Sequence, residues 1–303
     1  MTKKKVLITG AAGYVAGQIL PTFRERYDLV LLDVSAETSP DRPHPEGGQV
    51  AGVRIADLTD PDRSQYAHHF EGVDAVVHLA YLRRREDEAI DQYTSQRENV
   101  DMAHNVLRTA YDAGVRRFTS ASSNHAADWY ERNLIHDRKM EVLDPYELPL
   151  SDNFYGWSKA TYEHLGFLFA CGVFGRKMGV VMVRIGSPTG HEPPDQHGDD
   201  IRSFKRTMGS YISPRDLTQL FMKGIEAPDI ENEHGIPWQV VYGISNNTRA
   251  FWSLTNARRV LGYEPEDDTE VKYADSVRKH ILGLDGPERI GRLGAPSQSG
   301  VDR

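Results

Sequence analysis

Short apolar runs recur along the chain, with amphipathic segments between them. Val6-Leu7-Ile8-Thr9 is the first run. The turn Gly10-Ala11-Ala12-Gly13 follows, and an apolar-periodic segment then runs from Tyr14 toward Phe23. That order predicts strand, tight loop and helix. Apolar runs at 29–32 (ending at Asp33), 53–58, 73–80, 117–123 and 180–185 predict five further strands. The segment 88–113 has apolar positions at Val100, Ala103, Val106, Leu107 and Ala110, the spacing of one buried helical face, and Gly114 stops it. A third helix is expected over 155–171. Strands separated by helices imply an α/β fold with a parallel, doubly wound, Rossmann-like sheet.

The rhythm breaks at 124–153, which is charged and turn-rich, with Asp144-Pro145 and Leu148-Pro149. A long loop is expected there, and loops of that length in compact domains are usually functional. Composition shifts again after Gly186: 190–200 is rich in His, Pro, Asp and Gly and predicts another loop. A helix is expected over 214–227, with Ser213 as its cap, Pro214 in its first position and Asp216 in its first turn. A strand over 238–244 and a short helix over 255–261, ended by Gly262, follow. The division expected is a main sheet domain over 1–186, joined in part by 238–262. A small C-terminal lobe covers 187–285, and 286–303 form a flexible tail.

Composition narrows the class. The 303 residues suit one large α/β domain or a domain with an appended lobe. A net charge of -8 argues against a nucleic-acid partner. Arg83-Arg84-Arg85 is followed at once by Glu86-Asp87-Glu88, a mixed-charge solvated segment. Cys171 is the single cysteine, so no internal disulfide forms and the chain fits a reducing compartment. Lys3-Lys4-Lys5 lead into a short strand rather than a signal peptide, and no apolar run approaches the ~20 residues that span a bilayer. A cytoplasmic protein without membrane contact is expected. The 12 histidines form no zinc-ligand pattern, so no metal is expected.

Three constellations carry chemistry. In the first, glycines let the 10–13 turn approach a pyrophosphate while the helix N-terminus supplies N–H groups and a positive dipole end. Asp33 stands 20 residues past Gly13, matching the ~20-residue spacing of a ribose-binding acid. A carboxylate there accepts both ribose hydroxyls of NAD and repels the extra phosphate of NADP. Asp57 and Leu58 are placed to flank the adenine. The second is Tyr155-Gly156-Trp157-Ser158-Lys159. Four residues apart on a helix, Tyr155 and Lys159 share a face. A nearby ammonium favours the phenolate, which makes Tyr155 a general acid–base. The third is Ser122-Ser123-Asn124-His125, at the carboxyl end of a strand, where open α/β sheets bind ligands.

Thr9-Gly10-Ala11-Ala12-Gly13, Asp33, Asp57-Leu58, His78-Leu79-Ala80, Asn99, Ser123 and Tyr155-x-x-x-Lys159 together resemble the extended short-chain dehydrogenase/reductase family, the NAD-dependent epimerase/dehydratase group. The resemblance implies an oxidoreductase that holds NAD through Gly10, Ala12, Gly13, Tyr14, Val15, Asp33, Asp57, Leu58, Leu79, Ala80, Tyr155 and Lys159. It implies Tyr155, Lys159 and Ser123 as catalytic groups and Asn99 as a support of the lysine through water. A homo-oligomer is typical of the family. Ser122-Ser123-Asn124-His125, Arg184-Ile185-Gly186-Ser187, Tyr242-Gly243-Ile244-Ser245-Asn246-Asn247 and Leu261-Gly262-Tyr263-Glu264-Pro265 resemble, more narrowly, uronate dehydrogenases, which oxidise C1 of a uronate to a lactone. That likeness implies a carbohydrate substrate held by Ser123, Asn124, His125, Tyr155, Ser187 and Arg206, with Arg206 as carboxylate partner; Arg83 is a further substrate-binding candidate. The chain departs from the pattern in three places. The third loop glycine falls on Ala16. Tyr81-Leu82-Arg83 stand where a small Gly-x-Ser stretch is expected, and the segment between Asn124 and Tyr155 is longer. The alternatives are a nucleotide-sugar epimerase or dehydratase, using the same tyrosine with internal NAD recycling, and a non-catalytic NAD-binding scaffold.

Overall fold

The computed structural model describes residues 3–40, 44–83, 91–188 and 200–283. Seven strands form one parallel sheet in the order β3-β2-β1-β4-β5-β6-β7: β1 (Lys5–Thr9), β2 (Asp28–Asp33), β3 (Val53–Ile55), β4 (Ala75–His78), β5 (Arg117–Ser123), β6 (Gly179–Ile185) and β7 (Trp238–Gly243). Strand residues alternate between two buried faces, because successive side chains point to opposite sides of a pleated sheet. On one face Val6, Ile8, Val77, Val181 and Val183 pack under α1 (Tyr14–Arg26) and α6 (Pro214–Glu226). On the other, Leu7, Val30, Val76, Phe118 and Met182 pack under α2 (Gln92–Asp112) and α4 (Phe154–Ala170). Burial on both faces is why these strands read as continuous apolar runs. The strand order reverses at β1, between β2 and β4, and ligands of such sheets bind beyond the carboxyl ends at that point.

The structure corrects several expectations. The segment 124–153 is not a plain loop. It opens as a 3-10 turn (Asn124–Ala127), continues as the short α3 (Asp128–Tyr130), and ends in a π-turn (Glu131–Ile135). Ala127, Tyr130 and Leu143 bury against Tyr242, Ile244 and Trp252, so long-range contacts rather than local periodicity hold it. The helix α5 (Ile201–Ser210) was hidden by its polar, basic sequence; Asp200 caps it, and Phe204 and Met208 pack on Val277. Two further short helices, α7 (Thr269–Lys272) and α8 (Ala274–His280), complete that cluster. The short helix before Gly262 is a π-turn (Ala257–Leu261), closed by Gly262 in the left-handed region. Finally, α6 lies on the sheet against α1 rather than in a separate lobe: Leu217, Leu220 and Phe221 share one core with Ile19, Leu20 and Phe23. The 190–199 loop and the 286–303 tail lie outside the described residues. Among the described residues no helix is long and apolar enough to cross a membrane.

Candidate active site

The carboxyl ends of β1, β2, β4, β5 and β6 open on one cavity of about 820 Å³, running from Asp33, Glu37 and Asp57 to Ser123, Tyr155 and Lys159. Its near wall is the turn after β1. Gly10 has φ +69°, and a Cβ there would lie 2.6 Å from the backbone N of Ala80, so only glycine closes this turn beneath β4. Gly13 begins α1 without a capping side chain, which leaves that helix end to a ligand. Tyr14 and Val15 line the same wall. Asp33 is fixed by backbone donors: Ala12 N–H to one carboxylate oxygen (2.9 Å) and Val34 N–H to the other (2.7 Å). Burial nonetheless pushes its pKa above the ordinary carboxylate value. Asp57 accepts from the Thr59 amide and hydroxyl, and with Leu58 it lines the cavity. Leu79 and Ala80 donate backbone N–H groups to the Thr9 hydroxyl. A narrow Gly10 turn, an uncapped helix end and a fixed ribose-side acid on one elongated cavity fit NAD.

The far end is built by α4. Asn153 caps it, accepting from Gly156 N–H at 2.8 Å. A Cβ on Gly156 would sit 2.0 Å from the His125 carbonyl, so glycine lets α4 press against the 124–127 turn. That contact brings Tyr155 to the end of β5, where it lines the cavity with Ser123. Burial raises the Tyr155 pKa above its usual 10, and the neighbouring Ser123 hydroxyl partly opposes this. Lys159 is buried and donates to the Ala121 carbonyl at 3.2 Å. Among the described residues it forms no ion pair, and burial pushes its pKa down to about 7. Its ammonium stands 5.8 Å from the Tyr155 ring centroid and is turned toward Ala121.

The other expected site residues divide. Asn99 is fully buried and clamps the chain after β4: its side chain accepts from Leu82 N–H (2.7 Å) and donates to Leu82 O (2.9 Å). Arg83 lines the cavity. Asn124 is buried with its amide nitrogen unpartnered. His125 Nδ1 meets Asp128 at 2.5 Å, and its ring stands edge-on to Tyr155. Ser187 pairs through its backbone with Ser210 and Ile212. Arg206 faces carboxylates of the protein itself, Glu131 at 3.3 Å and Asp128 at 3.7 Å.

Several residues here went unnoticed in the sequence. Glu163, one turn past Lys159, pairs with Arg184 (2.7 Å) and accepts from Ser122 (2.8 Å), all three buried. Its i+4 spacing from Lys159 was the only local signal. Asp128, which orients His125, sat inside the presumed loop. Tyr162 is buried behind Lys159, with its hydroxyl unpartnered.

The pattern of the NAD dependent epimerase/dehydratase family matches residues 6–204. The chain belongs to this family. It is 36% identical over 275 residues to a Haloferax volcanii protein named NAD-dependent glucose-6-phosphate dehydrogenase, covering 87% of this chain and 94% of that one. It is 29% identical over 300 residues to a uronate dehydrogenase of Pseudomonas syringae pv. tomato, covering 98% and 94%. The solved structure of a uronate dehydrogenase mutant from Agrobacterium tumefaciens, complexed with NAD, superposes with a TM-score of 0.66 at 25% identity, over 94% of this chain and 91% of that one. The family is NAD-dependent, and both relatives are named as dehydrogenases.

Proposed function

We propose that the protein oxidises the C1 hydroxyl of a monosaccharide or sugar acid to a lactone. The observation that carries this reading is the convergence of Tyr155, Ser123 and Lys159 on the far end of the NAD cavity. Ser123 holds the C1 hydroxyl oxygen, and Tyr155 accepts its proton as the C1–H bond breaks. NAD, when bound, accepts the hydride. Lys159 holds the nicotinamide ribose, and Asp33 holds the adenosine ribose. Asn124 and His125 offer hydrogen bonds to the remaining hydroxyls of the sugar. Relatives named for glucose 6-phosphate and for uronate support a sugar substrate. Arg206, matched to two carboxylates already, is a poor anchor for a third, which supports an aldose over a uronate.

The test is NADH formation over a panel of free aldoses, their 6-phosphates, uronates and nucleotide sugars. The reading expects net NADH with a monosaccharide and its loss, by at least ~10²-fold, in Tyr155→Phe. Conversion of a nucleotide sugar without net NADH would replace it with epimerisation.

A further inference from the structure

Tyr81 occupies the stretch where the family pattern expects small residues, and its placement is specific. Its ring stands edge-on to Tyr155, with centroids 5.5 Å apart at 89°. The Lys159 ammonium lies 5.1 Å from the Tyr81 ring centroid, 4.5 Å from Tyr162 and 5.8 Å from Tyr155. Gln96 of α2 donates to the Tyr81 hydroxyl at 2.9 Å and accepts from Ser158 of α4 at 3.0 Å. Asn99 holds the neighbouring Leu82 backbone from both sides. The ring is thus fixed from its hydroxyl end and from the chain beside it. We propose that Tyr81 is a positioning residue which closes an aromatic cage around the Lys159 ammonium and seats the Tyr155 phenol at the reacting end of the cavity. This rests on the assignment of Tyr155 and Lys159 to the reaction.

The physical argument is a balance. Burial disfavours the ammonium, and no carboxylate pairs with it among the described residues. Aromatic faces attract a desolvated cation, so the cage keeps the charge where burial alone would remove it. The groups facing Lys159 are Tyr155 and Tyr162 from α4, His78 and Tyr81 from β4 and its extension, and the Ala121 carbonyl from β5. His78 is buried and held neutral, its pKa pushed down to about 3, so it adds no charge. Asp128 is the carboxylate whose field reaches Tyr155.

The experiment is a pH titration of the Lys159 side-chain ¹³Cε signal in NAD-free protein, assigned by its loss in Lys159→Met. It compares wild type, Tyr81→Phe and Tyr81→Leu. Leucine keeps apolar cover and removes the π face; phenylalanine keeps the face and removes only the bond to Gln96. The expected result is a wild-type midpoint near 7, unchanged in Tyr81→Phe. In Tyr81→Leu the proton affinity falls by roughly threefold or more. With an accepted sugar, kcat should fall in Tyr81→Leu and recover in Tyr81→Phe. An unmoved midpoint in Tyr81→Leu, or an equal shift in both variants, overturns the proposal. Tyr81→Met serves the same comparison if Tyr81→Leu does not fold. Because the titration needs neither cofactor nor sugar, a failed substrate panel would leave this result readable.

Discussion

Lys159 is kept buried at a cost to folding, and Lys159→Met should reveal it. The side chain titrates near 10.5 when free and about 7 in the fold. The unfolded chain therefore binds a proton that the native state gives up between those values, so native stability rises with pH across that window and is lowest below it. At pH 7 the difference corresponds to about 4 kcal/mol, falling to about 2 kcal/mol near pH 9 and vanishing above about pH 10.5. Methionine fills similar space without charge, and losing the bond to Ala121 returns about 1 kcal/mol of the gain. The NAD-free variant should thus be more stable by about 3 kcal/mol at neutral pH, raising Tm by roughly 5 °C for a chain of this size. NAD reduction should be lost in the same variant, a trade between stability and activity found at strained sites. Calorimetry of both proteins at neutral and alkaline pH measures the gap. A variant no more stable than wild type at pH 7, or a gap that persists unchanged at about pH 10.5, refutes the reasoning.

Other substitutions probe other parts of the fold. Glu163→Ala strands the Arg184 guanidinium in the interior and should cost about 3–5 kcal/mol in denaturant unfolding. Asp33→Ser removes the carboxylate proposed to hold the adenosine ribose, so the ratio of kcat/KM for NAD to that for NADP should fall by roughly tenfold or more. Gly10→Ala forces a Cβ into the Ala80 backbone at a positive φ and should abolish NAD binding by calorimetric titration, with about 1–3 kcal/mol lost from folding.

The parallel sheet was legible because each strand is buried twice, which writes continuous apolar runs into 6–9, 29–32 and 180–185. The end of the cavity at Gly10 and Asp33 was legible for a related reason: both are set by backbone geometry at fixed distances along the chain. The end at Tyr155 was only half visible. Tyr155 and Lys159 announce themselves by spacing on one helix, but Glu163 answers to Arg184 and Ser122, each on another strand. Arg206 shows the limit most clearly. The likeness to uronate dehydrogenases suggested a substrate carboxylate for it, whereas folding brings Asp128 and Glu131 to it from a segment that looked like loop. The helix α5 escaped notice because only one narrow side of it is apolar, at Phe204 and Met208.

The buried Glu163 also sets a mechanical limit. It ties the middle of α4 to β5 through Ser122 and to β6 through Arg184. The helix bearing Tyr155 and Lys159 cannot slide along its axis or roll over the sheet without breaking those bonds. The spacing between phenol, Ser123 and ammonium is therefore a property of the frame, not of the ligand. Accommodation to differently shaped ligands must then be made by the opposite bank, where Asp128 and Glu131 meet Arg206 of α5. Exchanging 131–135 and the facing side of α5 should redirect the choice of ligand while the spacing of Tyr155, Ser123 and Lys159 stays put.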